Sequence, residues 1–135
     1  MTRDLRREPH YALYALGGFA AFLIATAAIR VTPAKWIEAT DIWALAANGL
    51  IAGLVVLGIV MLVRPLAPEH RAGAAAAFAT PGMICDAFVT GAFGQIFPHV
   101  DPDLDGIFGA SMLAGYALII VTGLVMARLP ARSTA

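Results

Sequence analysis

Four apolar stretches in a chain of 135 residues constrain this protein more than any other feature of its sequence. A helix that crosses the hydrocarbon core of a bilayer needs about 20 mostly apolar residues, since lipid offers no partners for free backbone groups. Hydrophobic residues make up 60% of the chain, and its mean hydropathy is +0.80. A soluble domain of this size has too little interior to bury so much apolar surface. The sequence therefore predicts an all-α integral membrane protein with a single transmembrane domain, residues 1–135.

Three of the predicted spans contain no charged residue; they cover residues 11–29, 42–63 and 107–127. The remaining span, residues 72–97, is rich in alanine and carries Asp86 near its middle. A central Asp costs about 2.5–3.5 kcal/mol on the insertion scale, so this span is the weakest of the four. We still expect it to cross, which gives a four-transmembrane-helix bundle. The alternative is a re-entrant third segment.

The positive charges indicate how such a bundle would sit in the membrane. With four spans, both termini and the 64–71 loop lie on one side. That side holds seven basic residues, whereas the other side holds Arg30 and Lys35. Cytoplasmic loops carry an excess of Lys and Arg, so we predict that both termini are cytoplasmic and that the membrane is a bacterial inner membrane. The seven residues are Arg3, Arg6, Arg7, Arg64, Arg71, Arg128 and Arg132.

Small residues recur in all four predicted spans, where they would allow helix backbones to approach closely. We expect most of them to pack helices together within one chain. The alternative is a face for a homodimer or a larger membrane complex. The residues concerned are Gly17, Ala21, Ala25, Gly49, Gly53, Gly73, Ala77, Gly109, Gly115 and Gly123.

Asp86 is the most informative polar residue, because an ionisable group inside a membrane usually faces the bundle interior and has a function. Counted from the outer ends of the spans, Tyr116 lies about 3 Å from the depth of Asp86 at 1.5 Å per residue. Thr90 lies one helical turn above Asp86, and Asn48 is level with Thr90. The sequence therefore predicts an intramembrane polar cluster of Asp86, Tyr116, Thr90 and Asn48. Just before it, Pro81 and Gly82 predict a helix kink.

Three roles remain open for Asp86 at this stage. A protonated carboxyl group could lock the bundle through hydrogen bonds between helices. It could instead handle protons or a solute, or belong to a site that a partner chain completes. No basic residue lies in the middle of any predicted span to pair with it.

The loop between the predicted spans 72–97 and 107–127, on the side away from the termini, contains weak candidates for a metal site. They are His99, Asp101, Asp103 and Asp105. Their D-x-D-x-D-G run matches the first half of a calcium-binding loop. The match then fails, since Met112 stands where such a loop has a bidentate Glu. We expect Asp105 to be the N-cap of the last helix, and we expect no metal site.

Motifs for other chemistry are absent from the sequence. It contains no nucleophile elbow, Walker loop, dinucleotide-binding glycine pattern or HExxH sequence. Its three histidines fall outside the apolar spans, and its one cysteine excludes an intramolecular disulfide. With a net charge of zero and no basic tract, nothing suggests binding to nucleic acid. We therefore expect a protein that is not an enzyme and has no cofactor.

The second half of the chain contains Pro-Gly-Met-Ile-Cys-Asp-Ala-Phe at 81–88, Phe-Pro at 97–98, Phe-Gly-Ala at 108–110 and Gly-Tyr at 115–116. Over about residues 80–125 this pattern resembles a domain-of-unknown-function family of small bacterial membrane proteins with four helices. That family usually has Leu where Cys85 stands, and fewer acids after its Phe-Pro. The resemblance supports the architecture and draws attention to Asp86, but it implies no activity.

Two functions are consistent with these features. The first is a non-enzymatic small bundle that acts as an accessory subunit or a self-associating membrane component. The alternative is a small proton-linked or small-solute transporter that uses Asp86. In either case we expect the chain to lie in the lipid bilayer. We expect it to form a homo-oligomer or to belong to a larger membrane complex.

Overall fold

The computed structural model describes residues 9–32 and 42–130, with the side chains of 42–49 left out. Every regular element in those residues is a helix. Two short elements, α4 (Phe93–Ile96) and a 3₁₀ turn (Pro102–Leu104), lie between the last two long helices. The four long helices are α1 (Tyr11–Val31), α2 (Ile42–Val63), α3 (Pro68–Gly91) and α5 (Asp105–Arg128).

Three stretches of helix are long and apolar enough to cross a membrane: α1, α3, and residues Pro102–Arg128, which include α5. The prediction of an all-α chain with membrane-spanning helices is confirmed to that extent. In α2 the stretch Leu50–Val63 is a shorter apolar helix. The fourth crossing, and the side on which the termini lie, remain predictions.

The helix that contains the predicted third span, about residues 72–97, differs from it at both ends. α3 begins at Pro68, a residue that suits the first turn of a helix because it has no N–H to satisfy there. It ends at Gly91, where Ala92 leaves the helical conformation with φ −118° and ψ 24°. The 24 residues of α3 span about 36 Å, enough to cross a core of about 30 Å without re-entering. α3 also runs through Pro81 without a break, so the kink there remains a prediction.

α3 and α5 form the central pair of the fold. α1 packs against α3, and α2 packs mainly against α5. The core between α2, α3 and α5 is made of small and aliphatic side chains. Its buried members are Ile59, Val63, Ala74, Ala75, Ala79, Ile119 and Met126.

A second core lies at the other end of the pair and fixes the loop between α3 and α5. Phe97 is fully buried, and its ring centroid lies 5.2 Å from that of Phe93 and 5.5 Å from that of Phe108. Arg30 at the end of α1 donates a hydrogen bond of 2.9 Å to the carbonyl of Ile96. The Phe-Pro of the sequence pattern therefore anchors the loop to the ends of three helices.

Glycines permit the closest helix contacts, but not every predicted small-residue position is used. A Cβ added at Gly18 would overlap the backbone of Phe78, and one at Gly123 would overlap the Cβ of Ala75. By contrast, a Cβ at Gly53 or Gly115 would meet nothing within 4 Å in the described residues 9–32 and 42–130. Packing within the chain therefore accounts for the first two glycines, whereas Gly53 on α2 has an open face.

The start of α5 differs from the expectation. Asp105 is not the N-cap but the first residue of the helix, with φ −55° and ψ −43°. The 3₁₀ turn before it runs directly into α5, so the capping role moves to the start of that turn. There Asp101 accepts a hydrogen bond of 3.0 Å from the backbone N–H of Asp103.

Candidate functional site

The predicted approach of Asp86 and Tyr116 is present in the structure. The Tyr116 hydroxyl on α5 donates a hydrogen bond to Oδ2 of Asp86 on α3. Asp86 is only 7% exposed, and Tyr116 is half-buried. A carboxyl group removed from water needs such a donor, because an unpaired polar group in an apolar setting is costly.

Gly82 allows the Tyr116 hydroxyl to come close enough to α3 to reach Asp86. It lies one helical turn before Asp86 on the same face of α3. A Cβ at position 82 would lie 2.5 Å from the Tyr116 hydroxyl oxygen, so a side chain there would force the phenol away from its present position. The sequence predicted Gly82 as part of a kink, whereas the structure places it beneath the ring of Tyr116.

A groove runs beside this hydrogen bond on the surface between α3 and α5, with a volume of about 200 Å³. We call it the Asp86 groove. Asp86, Tyr116 and Thr90 supply its polar atoms, and exposed apolar side chains such as Leu113 form its rim. The remaining wall consists of Met83, Ala87, Gly109 and Met112. Chemically, the groove can offer one acidic group and one aromatic ring within an apolar wall.

The structure describes the side chain of Thr90, another predicted member of the polar cluster, but not that of Asn48. Thr90 lies in the wall of the groove, where its Oγ1 would be 3.5 Å from a Cβ at Gly109. Asn48 belongs to α2, but its side chain lies outside the described residues. The structure therefore brings together Asp86, Tyr116 and Thr90, and the place of Asn48 in the cluster remains a prediction.

Arg71 is the polar residue that sequence reasoning missed. It was counted as a loop charge, but it lies in the first turn of α3 and is only 3% exposed. Its Nη1 donates to the carbonyls of Met126 at 2.8 Å and Leu129 at 3.0 Å. Its Nε and Nη2 donate to the carbonyls of Leu66 at 3.0 Å and Arg64 at 3.3 Å.

These four carbonyls lie at the C-terminal ends of α2 and α5, where backbone acceptors have no partner within their own helix. The negative ends of the two helix dipoles also favour a cation at this place. Arg71 therefore joins the ends of α2 and α5 to the start of α3. The signal that could have revealed it is Pro68, because a proline at the first helical position places Arg71 inside the helix.

The four weak metal candidates of the loop between α3 and α5 are not gathered into one cluster in the described residues. His99, Asp101, Asp103 and Asp105 are all exposed. Within residues 9–32 and 42–130, no three side chains of the His, Cys, Asp and Glu types come together as a set of metal ligands. Asp101 is instead engaged in the turn that precedes α5.

Comparison with protein families extends the resemblance seen in the sequence. The profile of a family of unknown function, DUF5367, matches residues 36–129, which is more than half of the chain. The match thus includes the second predicted span as well as the segment that contains Asp86 and Tyr116. Comparisons with curated proteins and with solved structures gave no match.

Proposed function

The chain belongs to this family of unknown function, and we propose that it is a non-enzymatic, self-associating component of a bacterial inner membrane. In this proposal α2 crosses the membrane as the fourth span, and both termini are cytoplasmic. The excess of arginine on the side of the termini supports that orientation. The bilayer and a second copy of the chain are the expected partners.

The observation that carries the proposal is the open glycine face of α2. Among the residues that the structure describes, a Cβ at Gly53 would meet nothing within 4 Å, and the neighbouring Leu50, Leu54 and Leu57 are exposed. Gly49 and Gly53 form a GxxxG pair, which allows two membrane helices to approach closely. Close packing of that kind, rather than hydrophobicity, drives helices together in lipid. The face is therefore suited to a second α2.

Disulfide crosslinking in native membranes tests this proposal. Gly53→Cys is introduced after Cys85→Ala has removed the native thiol, and Ala20→Cys on the exposed side of α1 is the matched control. We expect a crosslinked dimer from Gly53→Cys and little from Ala20→Cys after mild oxidation. Equal crosslinking of the two variants would contradict self-association through α2. A crosslink from Gly53→Cys to a different protein would mean an accessory subunit instead.

A small proton-linked or small-solute transporter is the second candidate, and the Asp86 groove favours it. An acid that borders a groove within the membrane is the type of group that transporters use for protons and substrates. The test is solute or proton flux in liposomes that contain only the purified chain. Transport requires flux that Asp86→Asn abolishes, and absence of flux from the unmodified chain would exclude it.

A further inference from the structure

We propose that the Asp86 groove binds a small organic cation that carries apolar groups and enters from the lipid phase. The groove has one acidic group, one aromatic ring and an apolar wall. That combination matches a positive charge surrounded by hydrocarbon. The inference goes beyond self-association, and it concerns binding alone, whether or not the cation crosses the membrane.

The charge balance of the spans carries the first part of the argument. Ionisable groups inside membranes usually pair with one another or with backbone groups, and a charged carboxylate is stabilised by a positive charge. Residues 72–127 contain no Lys or Arg, and their single histidine, His99, lies in the exposed loop. Arg71 lies about 22 Å along α3 from Asp86 at 1.5 Å per residue, and its guanidinium is bonded to four carbonyls. A positive charge for Asp86 therefore has to come from outside these residues.

The wall of the groove carries the second part. Met83 and Met112 are flexible and polarizable, so they can adapt to apolar substituents of different shapes. The ring of Tyr116 borders the same space, and aromatic faces attract cations within about 6 Å of the ring centroid. Both features favour a cation with alkyl or aryl groups over a hydrated metal ion.

The volume and the rim limit the size of the ligand and indicate its route. About 200 Å³ is less than the roughly 300–1,000 Å³ of pockets for drug-sized molecules, so the cation must be small. Leu113 on the rim is 64% exposed, and Ala87 is exposed as well. In a membrane this rim would face lipid, so a ligand that partitions into the bilayer can reach the groove sideways.

The experiment measures binding of benzyltrimethylammonium to the full chain in lipid nanodiscs, with empty nanodiscs as the blank. Neopentylbenzene, which has the same shape without the charge, is tested as a competitor. We expect Asp86→Asn to weaken cation binding about tenfold or more, because it removes the charge and keeps an oxygen for the Tyr116 hydroxyl. Neopentylbenzene should compete poorly.

A second variant keeps the test valid if Asp86→Asn fails to fold. Ala87→Leu fills the groove from its rim and keeps Asp86 itself, and Ala20→Leu on α1 is its matched control. We expect binding to be lost in Ala87→Leu and retained in Ala20→Leu. The proposal is overturned if the native chain binds no more cation than empty nanodiscs do. It is equally overturned if folded Asp86→Asn, or Ala87→Leu, binds as well as the native chain. None of these outcomes depends on crosslinking through Gly53, so failure of self-association is a separate result.

Discussion

Gly82 of α3 lies directly against the phenol of Tyr116 on α5, so that a Cβ at position 82 would be 2.5 Å from the hydroxyl oxygen. This close approach brings the hydroxyl within reach of Asp86, one turn further along α3. A polar interaction between two helices thus depends on a position that has no side chain. Small residues have the same effect elsewhere in the fold, and they make its helix contacts testable.

Gly123→Ala is expected to destabilise the α3–α5 pair by about 1–3 kcal/mol, because its new methyl group would overlap the Cβ of Ala75. The free energy of unfolding in mixed detergent micelles measures this change. Gly115→Ala, on the same helix, is the control, because no described residue lies within 4 Å of a Cβ at that position. It should be neutral or slightly stabilising, since alanine favours helix by about 0.5–1 kcal/mol over glycine. Equal effects of the two substitutions would contradict the packing described here.

Two adjacent glycines on α1 should respond differently to the same change. A Cβ at Gly18 would overlap the backbone carbonyl of Phe78, which cannot move aside as a side chain can. A Cβ at Gly17 would lie 3.6 Å from the Phe78 ring, an ordinary van der Waals contact. We therefore expect Gly18→Ala to loosen α1 from α3 and Gly17→Ala to leave it in place. Hydrogen exchange of α1 amides in nanodiscs is the measurement, and faster exchange in both variants would be inconsistent with this contact.

Arg71→Lys is expected to destabilise the chain by about 3 kcal/mol, even though it preserves the positive charge. A planar guanidinium donates to four carbonyls here, and a lysine ammonium cannot reach all of them. Each lost hydrogen bond to a charged donor costs about 1.5–3 kcal/mol, and water that bonds to the freed carbonyls recovers part of this cost. The free energy of unfolding of the variant gives the answer. Arg64→Lys is the matched control, because the Arg64 side chain is exposed and only its carbonyl takes part. Unfolding of Arg71→Lys at the native free energy would refute this role.

Orientation in the membrane is the fourth prediction. Fusion of a reporter that is active only in the cytoplasm to the C-terminus, after residue 135, should give an active protein. A reporter that is active only outside the cytoplasm should be inactive when fused to the C-terminus and active when inserted after Lys35. The reverse pattern would exclude cytoplasmic termini, and activity of the outside reporter at both positions would mean an odd number of crossings.

The membrane helices and the Asp86–Tyr116 pair could be anticipated because both depend on quantities that the sequence contains. Apolar length gives the spans, and the rise per residue gives the depth at which two polar groups meet. The spacing of one helical turn placed Thr90 on the same face as Asp86, and the groove wall includes it.

The role of Arg71 could not be found in this way, because its partners are backbone carbonyls on other helices, and carbonyls leave no pattern in a sequence. The cap before α5 was misplaced for a similar reason, since Asp101 and Asp105 are alike in type and only the 3₁₀ turn decides between them. Which glycines pack within the chain is also a tertiary property. Gly53 and Gly123 occupy comparable sequence contexts, but in the part of the chain that the structure describes only Gly123 has a neighbouring helix against it.

The most direct test is a double-mutant cycle between Asp86 and Tyr116, measured as free energies of unfolding of the chain in mixed micelles. The variants are Asp86→Leu, Tyr116→Phe and the pair of both. Hydrogen bonds between membrane helices contribute about 0.6 kcal/mol on average and up to about 1.7 kcal/mol, so we predict a coupling of about 1 kcal/mol. Tyr116→Phe should then cost little once Asp86 has been replaced. Strictly additive effects, with no coupling, would mean that this hydrogen bond does not hold α3 to α5.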